Sequence, residues 1–288
     1  MSTTILGAHG KLGKMIAPCA DQAKMEWQTQ ARQGQADVIW SGDFEDSCAD
    51  RIFRRGATII NMIGYTGPDK DRLYQTNVTF VKHLLAKARD AGVAHVVLAS
   101  SAAIYGAGTG TPFDENDTPH PLNEYGVSKA AMEAAALSFA SAHPSPAITI
   151  LRISNVAGAD ALTAAATRNI AENTAMPLHR FPDGAAPERS YIGPQDLFQA
   201  VRALADPFDG PPRIVNVAHP QSVTLDAVLT AYRKHMFPSL EWVDEPVPAG
   251  VPQRITLATN QMCQQTELPA YTDPADAMAR QVAKVLTL

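Results

Sequence analysis

Short apolar runs alternate, through the first half of the chain, with longer stretches in which apolar residues recur every three or four positions. The runs TTILG (3–7), MEWQTQ (25–30), DVIW (37–40), ATIINMI (57–63), HVVLAS (95–100) and AITILRI (147–153) read as strands. Most are rich in β-branched residues, and their length suits strands. Between them, residues 11–23, 72–92 and 124–140 carry helical spacing. Strands of near-continuous apolar character that alternate with helices predict a parallel sheet covered on both faces. Right-handed crossovers then make a doubly wound α/β sheet, the Rossmann arrangement.

The rhythm changes after about residue 155. Pro and Gly crowd 176–194 and 243–253, while 213–218 still reads as a strand and 194–205 and 273–286 as helices. We expect a dinucleotide-binding domain over 1–155 and a smaller, mainly substrate-binding portion over 156–288, with segments around 190–220 returning to the first domain. No polar linker separates them, so the two should pack directly.

Composition narrows the class. With 45% hydrophobic and 18% charged residues the chain has ample material for a core. A formal charge of -5 without Lys/Arg runs gives no reason to expect nucleic acid as a partner. Cys19, Cys48 and Cys263 are scattered, so we expect neither disulfides nor a metal site. No apolar run is long enough for a membrane span, and the first residues lack the basic start of a signal peptide; we expect a cytoplasmic protein.

LGAHGKLG places Gly7, Gly10 and Gly13 directly after the first strand and at the start of a helix. Glycines there allow a tight turn and close backbone approach to a pyrophosphate, whose charge a helix N-terminus stabilises. With Lys11 and Leu12 they form the expected cofactor loop. An acid at the end of the second strand would bind a ribose 2′-hydroxyl, whereas WQTQARQG carries no acid there and offers Arg32. With Lys11 and Lys14 nearby, that favours NADP, NAD remaining an alternative.

Tyr125 and Lys129 share one helix face at i,i+4 spacing. An ammonium beside a phenol is expected to lower the phenol's pKa, fitting it to exchange a proton with a carbonyl or alcohol oxygen. Such a pair arises by chance in about one chain in five of this composition, so context must carry it. Ser100 and Ser101 end a predicted strand, where ligands of doubly wound sheets bind.

The chain resembles an extended short-chain dehydrogenase/reductase of the NAD(P)-dependent epimerase/dehydratase family nearly end to end. GAHGKLG, SGDFED (41–46), TNVTFVKHLL (76–85), LASSAAIYG (98–106), EYGVSK (124–129), LRISNVAG (151–158), the 182–197 block and NVAHPQSVTLDAV (216–228) follow in the family's order. The resemblance implies Ser101 as the substrate-orienting hydroxyl, Tyr125 as acid/base and Lys129 as its partner, also touching the cofactor. It implies Asp43 near the adenine, Asn77 beside the nicotinamide, and Asn155 and Arg189 toward substrate, Arg189 meeting a diphosphate in nucleotide-sugar members. The segment between Asn155 and Arg189 is short against many such members, and Ser190 stands where Asp is usual. Ala102 and Ala103 replace the paired carboxylates of a dehydratase. The resemblance also implies a homodimer through the helices at 72–90 and 124–140.

The expected function is NADP-dependent reduction or oxidation of a carbonyl/alcohol group, with sugars among the candidate substrates, by a Ser-Tyr-Lys mechanism. A nucleotide-sugar epimerase is the alternative, and a non-catalytic cofactor-binding sensor a third. The small-molecule substrate itself is not legible.

Overall fold

The structure, a computed structural model, describes residues 2–108 and 110–287. Its centre is a seven-stranded sheet. β1 (Thr3–Leu6), β2 (Trp27–Ala31), β3 (Val38–Ile39), β4 (Thr58–Asn61), β5 (His95–Ser101) and β6 (Ala147–Ile153) are joined by β11 (Arg213–Val217), in the order β11-β6-β5-β4-β1-β2-β3. Every neighbouring pair is parallel. The order reverses direction beside β1, which opens a crevice at the strands' C-terminal ends.

Alternation along each strand divides the core between the two faces. Ile5, Ile60, Val97, Leu151 and Val215 point one way, against α1 (Gly13–Gln22) and α6 (Pro194–Leu204). Leu6, Ile59, Val96, Leu98 and Ile150 point the other way, against α3 (Phe80–Ala91) and α4 (Glu124–Ala142).

The expected helix over 72–92 is broken into α2 (Lys70–Tyr74), a π-helical turn (Gln75–Thr79) and α3. The turn coincides with Asn77, which is fully buried and bonds sideways to the loop at Tyr65 and to Ser128 of α4. Such interruptions occur mostly at functional sites.

The remainder packs as a third apolar cluster around Ala166, Met176, Leu178, Tyr191, Leu229, Tyr232 and Met278. Its elements are β7 (Asn155–Val156), α5 (Ala161–Glu172), β8 (Met176–Arg180), β9 (Glu188–Arg189), β10 (Tyr191–Ile192), β12 (Val223–Thr224), α7 (Leu225–His235), β13 (Trp242–Pro246), β14 (Arg254–Ile255), α8 (Asn260–Cys263) and α9 (Pro274–Leu286). Most of these were not expected from the sequence, and two show why. α5 buries only Thr163 and Ala166 fully, too small an apolar stripe to show a period, and its start is fixed by Asp160 accepting from the Thr163 amide at 3.0 Å. β13 runs parallel to β8 with its last four residues exposed, an edge position that tolerates Pro246.

One close approach positions α4. Its first turn is capped by Asn123, whose side chain accepts from the Gly126 amide at 2.8 Å. A Cβ on Gly126 would stand 2.6 Å from the Ala103 carbonyl oxygen and 2.9 Å from Pro121 Cβ. Gly126→Ala should therefore cost about 1–3 kcal/mol by pushing α4 from the turn after β5; equal stability to the wild type in denaturant titration would contradict that contact.

Candidate active site

A cavity of about 1530 Å³ opens along the C-terminal ends of β1, β2, β4, β5 and β6. The glycine loop walls one end. Gly7 adopts φ +78°, and a Cβ there would meet Ile63 Cγ1 at 2.9 Å; a Cβ on Gly13 would stand 2.1 Å from the Gly7 carbonyl oxygen. The loop closes on itself through the Gly10 amide to the Gly7 carbonyl at 2.8 Å, and α1 starts with Leu12 as a cap lacking any side-chain acceptor. The Lys14 and Met15 amides of its first turn donate to the Gly10 and Leu12 carbonyls, both at 3.0 Å, so an anion here would be met by the positive end of the helix rather than by those two amides. Gly7, Gly10, Lys11 and Leu12 line the cavity, and Gly13 supports them from behind.

Gln30, not singled out from sequence, ties this end together. Its side chain is 1% exposed, accepts from the Gly7 amide at 3.0 Å and donates to the Trp40 carbonyl at 2.6 Å, joining β1, β2 and the chain after β3. β2 reads WQTQA, so a second glutamine in a mostly polar strand gave no contrast to mark Gln30. Arg32, Lys11 and Lys14 are exposed cations on the same wall, joined by His9, which contacts the Gln35 carbonyl at 2.9 Å. Ser41, Gly42 and Phe80 also line this end; Asp43 does not, its carboxylate accepting from the Glu45 amide at 3.0 Å. Among the described residues lining the whole cavity, Asp160, at the other end, is the single acid.

Ser101, Tyr125 and Lys129 line that other end together. Lys129 is 3% exposed and donates to the Ala99 carbonyl at 2.7 Å. Burial draws its pKa down to about 8, against a raising influence from the Glu133 carboxylate. Tyr125 departs from expectation. Burial pushes its phenol above the ordinary value, Ser101 pulls the other way, and Lys129 does not contribute. Desolvation wins because the ammonium is directed to the strand carbonyl. The phenol is therefore protonated at neutral pH, poised as a proton donor.

Asn77 lies outside the cavity lining; its side-chain oxygen accepts from the Tyr65 amide at 2.9 Å, and its nitrogen donates to the Tyr65 carbonyl at 3.0 Å and Ser128 Oγ at 2.9 Å. It shapes the lining through the Gly64–Thr66 loop. Asn155 does line the cavity and donates to the Ser190 carbonyl at 3.0 Å. Arg189 does not: its guanidinium donates to the Glu188, Gln253 and Pro252 carbonyls at 2.7, 3.0 and 3.1 Å. Ser154, Ala159 and Asp160 complete this end. No group of metal-ligating side chains occurs among the described residues, and no helix is long and apolar enough to cross a membrane.

Residues 3–218 match the model of the NAD dependent epimerase/dehydratase family. The chain belongs to this family. A UDP-glucose 4-epimerase of Corynebacterium glutamicum is 29% identical over 218 residues, 67% of this chain and 61% of that protein. A dTDP-4-dehydrorhamnose reductase of Mycolicibacterium smegmatis is 30% identical over 144 residues, 46% of this chain and 41% of that one. Among solved structures, MoeE5 in complex with UDP-glucuronic acid and NAD aligns with a TM-score of 0.78 at 20% identity, over 100% of both chains. A Thermus thermophilus UDP-glucose 4-epimerase in complex with NAD aligns at 0.75 and 19%, over 98% of this chain and 99% of that one. In sequence the chain thus spans 61% of the length of that first relative.

For an epimerase/dehydratase family member, the glycine-walled end fits a dinucleotide on its own geometry: a loop that excludes Cβ atoms, a helix N-terminus and lining cations. The buried lysine carries a pH signature. Its folded pKa lies below the ordinary 10.5, so between about 8 and 10.5 the unfolded chain binds more protons and stability rises with pH. The stability of wild type relative to Lys129→Met should accordingly increase by roughly 2–3 kcal/mol across that window. Denaturant titrations at its two ends would show this, and a flat difference would contradict the burial of the charge.

Proposed function

We propose that the protein is an NAD(P)-dependent epimerase acting at a secondary alcohol carbon of a nucleotide-linked sugar. The observation that carries this reading is the opening of the glycine-loop end and the Ser101/Tyr125/Lys129 end into one cavity. A bound dinucleotide would supply the hydride acceptor and donor. Tyr125 would give its proton to the carbonyl oxygen in the reductive half-reaction, and only the tyrosinate so formed would take the alcohol proton when a carbinol is oxidised; Ser101 would orient that oxygen. Lys129 would offset negative charge developing on Tyr125. Ser154, Asn155 and Asp160 supply polar groups on the substrate side.

The first reading of the sequence placed a dissociable NADP reductase ahead of an epimerase. The UDP-glucose 4-epimerases among the relatives reverse that order. The reductase stays as a second reading because Arg32, Lys11 and Lys14 share the adenosine-side wall, an arrangement suited to a 2′-phosphate. Exposed Val127 and Leu137 on α4 and Tyr74 on α2 support a homodimer through this side.

Nucleotide released from the purified protein by denaturation tests the choice. Near-stoichiometric NAD(H) or NADP(H) supports the epimerase, which regenerates its cofactor in each turnover. Empty protein that prefers NADPH supports the reductase; a preference for NADH removes the role of Arg32. If Arg32 holds a 2′-phosphate, Arg32→Ala should weaken NADPH binding by about 10–100-fold and leave NADH nearly unchanged. Tyr125→Phe should lower turnover by about 10²–10⁴-fold while cofactor binding persists; full turnover in the variant would remove Tyr125 from the acid–base role, whereas a wild type that binds cofactor without turnover would support the binding-protein reading.

A further inference from the structure

Behind the acid–base pair lies an ion pair to which the proposed reaction gives no role. Glu133 follows Lys129 by one helical turn on α4, Arg152 faces it from β6, and each is 3% exposed. Arg152 grips the carboxylate twice, from Nη2 at 2.9 Å and from Nε at 3.2 Å. The Ser100 hydroxyl donates to the other carboxylate oxygen. Arg152 Nη1 donates to the Tyr105 hydroxyl at 2.9 Å and to the Glu115 carbonyl at 2.8 Å, and Tyr105 donates onward to Asn216 at 2.7 Å. The carboxylate is thus fixed by β5 and β6, and its partner is braced by the chain after β5.

Stability alone is a weak reason for such an arrangement. Desolvating two ions offsets most of their attraction, and well-packed apolar residues in their place are often neutral or stabilising. The location is more informative. Around Lys129 the groups are Tyr125 and Glu133 on its own helix, the Ala99 carbonyl and Ser100 on β5, Arg152 on β6, and Asn77 with the Gly64 backbone beside the cavity. Of these, Glu133 is the anion.

We propose that Glu133 is a positioning residue for the reaction: locked by Arg152 and Ser100 one turn beyond Lys129, its carboxylate stabilises the ammonium form of Lys129 against burial. Arg152 sets the strength of that influence, since it partly neutralises the carboxylate. The proposal rests on Tyr125 and Lys129 being the acid–base pair.

The test needs no substrate. In protein labelled with ¹³C-lysine, the Lys129 Cε resonance is assigned by its loss in Lys129→Met and followed against pH. The wild-type midpoint is expected at about 8. Glu133→Gln, nearly isosteric, should lower it by about one unit or more, and Arg152→Met should raise it. The double variant leaves neither member of the Glu133–Arg152 pair without its partner, is the safest to fold, and should titrate like Glu133→Gln. A pair that only braces the fold predicts no opposite shifts, so unchanged midpoints, or single variants that move the midpoint in the same direction, overturn the proposal. Turnover of Tyr125→Phe tests the acid–base assignment separately, because the resonance shifts do not depend on it.

Discussion

An ammonium group held out of water is the constraint around which the active end of this molecule is organised. Lys129 is buried, and its pKa is drawn down to about 8. Such a group persists only where other groups replace its hydration. The Ala99 carbonyl at the end of β5 accepts one of its protons, and Glu133 supplies opposite charge from the next turn of α4. Each of those must itself be held, which draws in Arg152, Ser100 and Tyr105. A polar chain therefore extends from the cavity wall into the core, nearly saturated: among the described residues, Arg213 Nε is the one buried side-chain polar atom without a partner.

The same burial decides the state of Tyr125. Helical spacing alone suggests that Lys129 acidifies the phenol. In the fold the ammonium is directed to a strand carbonyl, desolvation prevails and the phenol keeps its proton. A protonated tyrosine beside Ser101 favours proton donation to a carbonyl oxygen, the half-reaction shared by a reductase and by the second step of an epimerase.

Much of the architecture was legible because it depends on local pattern. Strands buried on both faces are largely apolar, and β4, β5 and β6 announced themselves in that way. The glycine loop was legible because only glycine satisfies its geometry, at Gly7 through a positive φ and at Gly13 through contact with the Gly7 carbonyl. α5 and β13 were hidden: one packs through small side chains and the other is an exposed edge, so neither leaves an apolar period. The buried network was hidden for a different reason. Glu133 and Arg152 look in sequence like ordinary surface charges, and only the packing of α4 against β5 and β6 joins them.

By itself the sequence determined the doubly wound α/β class and the glycine loop, because steric needs and helical or strand periods are written in neighbouring residues; for Ser101, Tyr125 and Lys129 it supplied an expectation through resemblance. Tertiary structure alone decided where the polar hydrogens point. It bound Asn77 to the Tyr65 loop, tied up Arg189 with three backbone carbonyls, and left Arg32, Lys11 and Lys14 on a shared wall. Burial and hydrogen-bond partners arise from contacts between segments far apart in the chain, and these set which charges are free to meet a ligand.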